Sequence, residues 1–108
     1  MEPFRFIKDI KKKELFEGVI GQYLGSGQNM NVMHWNFRDQ ITLPEHQHES
    51  EQFGYVIKGG FNATIGGVTK LLREGDFYFI PPNTPHCFTS VGETEAIDVF
   101  SPLRDINY

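Results

Sequence analysis

The chain of 108 residues has one cysteine, no long apolar run and only a modest number of basic residues. A single cysteine cannot form an internal disulfide, and the N-terminus lacks the apolar core of a signal peptide, so we expect a cytoplasmic protein. No stretch approaches the ~20 apolar residues of a membrane span. A net charge of −4 disfavours nucleic acid and anionic membranes as partners.

The sequence also lacks any apolar pattern of helical period over about ten residues. Instead, short apolar stretches alternate with glycine and proline turn signals about every eight to twelve residues, which is typical of a sandwich or small barrel. In residues 30–38, Met33, Trp35 and Phe37 share one face of a half-buried strand. The glycine pair at 66–67 predicts a hairpin with a primed turn. We therefore predict one all-β domain covering residues 1–108.

Other parts of the chain give weaker patterns. Residues 4–7 are expected to begin an edge strand or to pack over the core, and residues 11–16 to form a helical turn. His34 lies on the more polar face of its strand, where a hydrogen-bonded or exposed structural histidine is favoured over a cavity-lining one. Cys87 is interpreted as a buried structural thiol, because no base is paired with it.

Two histidines, His46 and His48, stand two positions apart, and Gln52 follows four positions later. In an extended segment these three side chains point to the same side. His86 follows a proline-rich turn at 81–85. We predict that the two segments meet and form one site for a divalent metal ion. Neutral imidazole suits zinc, copper, iron or nickel, and oxygen donors add manganese.

This donor set has a chemical consequence. Three imidazoles and one amide are all neutral, so the charge of the cation is not cancelled, which favours Lewis-acid chemistry over redox catalysis. Histidines that bind a metal need an acceptor for the other ring nitrogen. Glu45, Glu49 and Glu51 are near in sequence, but they are interpreted as solvated surface residues.

The last predicted strand has two faces, with Asp98 and Phe100 on one and Ile97 and Val99 on the other. The pair Ile97 and Val99 is interpreted as core. An aspartate beside a metal cavity can act as a general acid or base, but a surface aspartate fits the spacing equally well. Arg104 can clamp a substrate carboxylate or form a surface salt bridge, and the residues alone favour the salt bridge.

Together, the segments 43–60 and 75–90 resemble the paired motifs of the cupin superfamily. The first motif, a histidine pair followed by glutamate or glutamine and then glycine, reads His46, His48, Gln52 and Gly59. The second, a glycine, a proline, a glycine and a histidine, reads Gly75, Pro81, Asn83 and His86. Asn83 replaces the usual glycine, and asparagine is the next-best residue for a left-handed turn. Ser90 stands where an asparagine often follows.

The resemblance implies a double-stranded β-helix, the cupin jelly-roll barrel, with the metal inside. Such barrels are often dimeric, and pairing would protect exposed edge strands, so we expect a homodimer. Within the superfamily the chain is most similar to the KdgF-like group of small single-domain cupins, which is linked to pectin degradation and carbohydrate metabolism. The residues that carry this similarity are the runs 51–59, 81–86 and 98–104.

Members of that group with known activity convert an unsaturated uronate into an open-chain keto sugar. The resemblance implies that His46, His48, Gln52 and His86 bind the metal. It also implies that Asp98 handles the proton, Phe100 shapes the pocket and Arg104 holds the carboxylate of a small-molecule substrate. Two alternatives stay open, namely an iron-dependent dioxygenase and a non-catalytic cupin that binds a sugar or an anion.

Overall fold

A computed structural model describes residues 2–105. In that range the chain forms ten β-strands and one short 3₁₀-helix, Ile7–Asp9, but no α-helix. No helix among these residues is long and apolar enough to cross a membrane. The strands in chain order are β1 (Lys13–Phe16), β2 (Val19–Ser26), β3 (Asn31–Phe37), β4 (Thr42–His46), β5 (Glu51–Lys58), β6 (Gly60–Ile65), β7 (Val68–Arg73), β8 (Phe77–Ile80), β9 (His86–Ser90) and β10 (Thr94–Ser101).

The strands form two antiparallel sheets. The larger sheet has the order β1-β2-β3-β10-β5-β8, and the smaller has the order β4-β9-β6-β7. Their inner faces share a core in which Phe61 of the smaller sheet makes edge contacts with Phe37 and Phe88, with ring centroids 5.2 and 5.3 Å apart. The architecture is the all-β double-stranded β-helix that the sequence predicts.

Turn residues behave as their chemistry requires. The predicted hairpin joins β6 to β7, and both of its glycines have positive φ, 57° at Gly66 and 82° at Gly67. A primed turn needs this conformation at both positions. Asn83 also lies in the left-handed region, with φ of 56°, so it can stand where the cupin motif has a glycine. The predicted hairpin is confirmed.

The N-terminal region differs from the prediction. Residues 11–16 do not form a helical turn, because β1 pairs with β2 and Lys13 lies opposite Gly21. A single helical turn is costly to nucleate, whereas a neighbouring strand supplies partners for the backbone at once. Phe4 and Phe6 remain exposed, so they neither begin an edge strand nor cover the core.

In the last strand, β10, the apolar pair Ile97 and Val99 lies on the opposite face from the one predicted. Ala96, Asp98 and Phe100 point into the core and are almost fully buried, whereas Ile97 and Val99 are half-buried on the outer face of the larger sheet. The interpretation of Ile97 and Val99 as core is therefore wrong. Alternation separates two faces of a strand, but the second sheet determines which face is inside.

The interpretation of His34 from the sequence is confirmed, and that of Cys87 is confirmed only in part. His34 is hydrogen-bonded on both sides, with Nε2 2.6 Å from Glu95 Oε2 and Nδ1 3.1 Å from Gln22 Oε1. It is therefore a structural histidine, as the sequence indicates. Cys87 is a free thiol opposite Thr64 of β6, and it is half-buried rather than fully buried.

Candidate metal centre

The stretch that contains His46, His48 and Gln52 is not one strand. β4 ends at His46 in the smaller sheet, residues 47–50 form a connection, and β5 begins at Glu51 in the larger sheet. The expectation that alternation along one extended segment aligns the three side chains is therefore wrong. They converge because the chain crosses between the sheets here, so both sheets contribute to one end of the barrel.

The fold brings three histidines into one cluster. His46 lies opposite His86 on the neighbouring strand β9, and His48 reaches the same place from the connection. One nitrogen from each ring can be chosen so that all three nitrogens lie within 4.8 Å of one another. β4 ends and β9 begins here, so two of the three imidazoles are held by paired strands.

Each of the three rings uses Nδ1–H to donate a hydrogen bond to a backbone carbonyl two residues away. The pairs are His46 with Pro44 (2.9 Å), His48 with Ser50 (2.8 Å) and His86 with Thr84 (2.8 Å). These bonds fix the tautomer, and the lone pair of each neutral ring is then on Nε2. The cluster therefore has three orientated nitrogen donors.

These backbone carbonyls accept the hydrogen bonds from the second ring nitrogens, a role for which the nearby carboxylates were the candidates in the sequence. Glu45, Glu49 and Glu51 are all exposed, as expected for solvated residues. A carbonyl acceptor orients a ring without adding negative charge. The cluster therefore keeps the neutral character that its residue types indicate.

The residues present fit a divalent cation. His86 Nε2 is buried and has no hydrogen-bond partner among residues 2–105, although a buried polar atom without a partner is costly. Gln52 Oε1 lies 3.1 Å from His48 Nε2, so two electron-pair donors face each other when the ring is neutral. A cation between them would satisfy both, and a spacing of this size is compatible with metal–ligand distances of about 2.0–2.2 Å.

Burial also favours the neutral form of two of the rings, those of His48 and His86. Burial is the main reason that the pKa of His86 falls to about 4. The hydrogen bond to Thr84 raises this pKa, whereas the neighbouring histidines lower it further. The pKa of His48 is lowered mainly by burial and then by the positive charge of Arg104. Protons therefore compete weakly with a cation for these nitrogens at neutral pH.

Asp98 lies on the adjoining wall and is 6% exposed. Tyr78 donates its hydroxyl hydrogen to Asp98 Oδ1 over 2.6 Å. Burial raises the pKa of Asp98, while Tyr78, the amide of Gln52 and the indole of Trp35 oppose that rise. The indole N–H of Trp35 is itself buried without a well-formed hydrogen bond to any described residue. Asp98 is thus a buried carboxyl group beside the histidines, and not a surface aspartate.

Phe100 and Arg104 complete this wall. The Phe100 ring is fully buried and meets His48 edge-on, with centroids 5.7 Å apart. The guanidinium carbon of Arg104 lies 5.1 Å from the centre of the Phe100 ring. Arg104 is half-buried and lines the neighbouring cavity, and it forms no salt bridge to a carboxylate of residues 2–105. Within this range the guanidinium is therefore not part of the surface salt bridge that the residues alone favour.

One cavity of about 530 Å³ adjoins the cluster, and His48, which contacts both Gln52 and Phe100, lies behind its lining. Its polar lining includes His46, Gln52, His86, Asp98 and Arg104, together with Glu45 and Asp105. Aromatic and aliphatic side chains, among them Trp35, Phe61 and Phe88, form most of the remaining wall. Such a cavity suits a small molecule that is held by a few polar contacts at one end.

Sequence reasoning missed Tyr78 and Trp35 as neighbours of Asp98. One signal pointed to the first of them. Gly54 interrupts the apolar strand β5, and an interior glycine in a strand often marks a close approach by another group. No comparable signal marks Trp35, because an aromatic residue on the inner face of a strand is ordinary core.

Residues 34–100, more than half of the chain, match the profile of the cupin domain family. The chain therefore belongs to the cupin family. This assignment agrees with the two-sheet barrel and with the histidine cluster at one end of it.

The chain is also similar to particular cupins. It is 29% identical over 94 residues to the pectin degradation protein KdgF of Dickeya dadantii (strain 3937), covering 85% of this chain and 86% of that protein. The structure of KdgF from Halomonas sp. superposes with a TM-score of 0.91 at 25% identity, over 97% of each chain. An RmlC-like cupin from Shewanella frigidimarina gives a TM-score of 0.91 at 30% identity, over 97% of this chain and 95% of the other.

Proposed function

We propose that this cupin binds a divalent metal through His46, His48, His86 and Gln52 and converts an unsaturated uronate, or a related sugar acid, into its open-chain keto form. The observation that carries the proposal is the convergence of neutral donors, a buried carboxyl group and a guanidinium at one end of a single cavity. The similarity to the two KdgF proteins supports the sugar-acid substrate.

The reaction is an isomerisation. In an unsaturated uronate, the ring oxygen joins the hemiacetal carbon to an alkene carbon that carries the carboxylate. The hemiacetal C–O bond breaks, and loss of the hydroxyl proton gives an aldehyde. The ring oxygen leaves as an enolate, which takes a proton on the neighbouring alkene carbon and becomes a ketone. One proton leaves an oxygen and one arrives at a carbon, so no oxidant, reductant or water is consumed.

The residues divide this work between binding and proton transfer. A bound divalent cation, zinc, nickel, manganese or iron, supplies Lewis acidity toward a substrate oxygen. Arg104 holds the carboxylate of the substrate with its planar set of donors. Phe100 lies beneath the guanidinium and limits its position. Asp98 accepts the hydroxyl proton and delivers a proton to carbon, a role that a carboxyl group with a raised pKa can perform in both directions.

Loss of the ultraviolet absorbance of the conjugated alkene tests this proposal. Metal-loaded protein is expected to accelerate that loss above the buffer rate, and Asp98→Ala is expected to lower turnover by about 10²- to 10⁴-fold, the usual range for a general acid or base. No acceleration by the wild type, or equal rates for the wild type and Asp98→Ala, would overturn the proposal.

The same preparations distinguish the alternatives. Oxygen consumption by iron-loaded protein with an enediol substrate would indicate a dioxygenase, for which the neutral donor set is poorly suited, because anionic ligands favour higher oxidation states of iron. Saturable binding of the uronate without turnover, unaffected by Asp98→Ala, would indicate a non-catalytic sugar-binding or anion-binding cupin.

A further inference from the structure

Three adjacent strands of the larger sheet place Tyr78, Gly54 and Asp98 in one row. Gly54 of β5 lies opposite Tyr78 of β8 on one side and opposite Asp98 of β10 on the other. Tyr78 and Asp98 are therefore two strands apart, about 10 Å along the row. Their hydrogen bond nevertheless measures 2.6 Å, so the tyrosine side chain lies across the middle strand.

The missing side chain of Gly54 makes this crossing possible. A Cβ atom at that position would overlap both the ring and hydroxyl of Tyr78 and the Asp98 carboxylate. Gly54 does not have a positive φ, so its backbone conformation does not require glycine. Glycine in a strand interior is unfavourable by about 0.5–1 kcal/mol relative to alanine. Glycine at this position therefore provides the space in which the Tyr78 side chain reaches Asp98.

Tyr78 is held in one orientation. It is 7% exposed, and its ring packs against Phe88 with centroids 4.8 Å apart. Burial, and then the negative charge of Asp98, raise the pKa of Tyr78 well above its ordinary value. The phenol therefore keeps its proton at neutral pH and donates it to Asp98 Oδ1. That oxygen is occupied throughout.

We propose that Tyr78 is a positioning residue for Asp98, which fixes Oδ1 of the carboxyl group and leaves Oδ2 as the oxygen that exchanges a proton with the substrate. This inference rests on the proposed function, in which Asp98 transfers the proton. It assigns no contact with the substrate to Tyr78. Tyr78 holds the plane of the Asp98 carboxyl group in place, and a small displacement of a catalytic group lowers the reaction rate strongly.

Tyr78→Phe tests the role, since it removes the hydroxyl and keeps the ring against Phe88. Its kcat for the unsaturated uronate is expected to fall about ten- to a hundredfold, while KM and metal content stay within about twofold of the wild type. Tyr55→Phe is the matched control, because Tyr55 lies on the outer face of β5 and is 40% exposed. Full activity of Tyr78→Phe would overturn the inference.

A double-mutant comparison separates positioning from general structural support. If Tyr78 acts through Asp98, then Tyr78→Phe lowers kcat in the wild-type background and leaves kcat unchanged in the Asp98→Ala background. An equal loss in both backgrounds would overturn the inference. If Asp98→Ala itself matches the wild type, the proposed function fails instead.

Crystal structures of the wild type and of Tyr78→Phe give a readout that does not depend on turnover. We expect the Asp98 carboxylate to rotate away from its wild-type position, or to occupy two rotamers, once Oδ1 loses its donor. An unchanged, single conformation in the variant would overturn the positioning role. Gly54→Ala, which fills the crossing point, is expected to displace the same two side chains.

Discussion

At the scale of single residues, Gln52 connects the metal centre to Asp98. Its carbonyl oxygen faces His48, while its amide favours the ionised form of Asp98 as a hydrogen-bond donor. A glutamate could offer an oxygen to a cation, but it could not donate a hydrogen bond to Asp98. The amide therefore serves two neighbours with opposite requirements.

Gln52→Glu is expected to retain the bound metal and to lose turnover. The new carboxylate remains a ligand, but it faces Asp98 with a like charge and no donor, so we expect kcat to fall about tenfold or more. Metal content per chain and the rate of ultraviolet loss give the two readouts. Gln47→Glu, which adds the same charge at an exposed position of the connection, is the control. Full turnover by Gln52→Glu would contradict the dual role of the amide.

The histidines give a prediction about pH. The pKa of His48 is lowered from its ordinary value, and that of His86 falls to about 4. A lowered pKa means that protons displace a cation only at a lower pH than they would from ordinary histidines. Zinc-loaded protein is therefore expected to keep its metal at about pH 6 and to release it as the pH approaches 4. Metal analysis after dialysis checks this, and release with a midpoint at or above 6.5 would contradict it.

At the scale of elements, the segment after β10 is held by one side chain of β3. The Asn31 amide donates to the backbone carbonyl of Arg104 over 2.7 Å and accepts from the Arg104 N–H over 3.1 Å. Asn31 is almost fully buried, so these two bonds replace what a neighbouring strand would supply. The guanidinium is thereby anchored near the cavity, although it follows the end of β10.

Asn31→Ala is expected to raise KM for the uronate about tenfold with a smaller effect on kcat. Each lost hydrogen bond is worth about 1 kcal/mol, and a loosely held Arg104 binds the substrate carboxylate less well. Metal content is expected to remain normal, because no histidine depends on Asn31. Asn62→Ala, at an exposed position of β6, is the matched control. An unchanged KM would show that Arg104 does not need this anchor.

At the scale of the whole molecule, the outer face of the larger sheet is unusually apolar at one edge. Phe77 and Phe79 of the edge strand β8 are 57% and 65% exposed, and both lie beside Phe53, with ring centroids 6.1 and 5.1 Å away. With about 200 Å² per aromatic side chain, the two exposed rings offer about 240 Å². A stable interface buries about 800 Å² per partner, so these rings supply roughly a third.

We propose that a second copy of this chain covers this edge. Two antiparallel β8 strands can pair through their free backbone groups while the phenylalanines meet, which removes an exposed strand edge. Phe79→Glu is expected to convert a dimer into a monomer in light scattering. Val68→Glu, at an exposed position in β7 of the other sheet, is expected to leave the dimer intact. A monomeric wild type would contradict the proposal.

The sequence by itself determined the local features. Alternation and turn residues predict the strands, the Gly66–Gly67 hairpin and the all-β class, because these depend on neighbouring residues along the chain. The types and spacing of His46, His48 and His86 likewise indicate a neutral nitrogen cluster. Packing between distant strands decided the rest. Packing against the smaller sheet determines which face of β10 is buried. The crossing of the chain between the sheets brings Gln52 to the histidines. Only the pairing of β8, β5 and β10 placed Tyr78 over Gly54 and against Asp98, because the register between strands cannot be predicted from the sequence of a single strand.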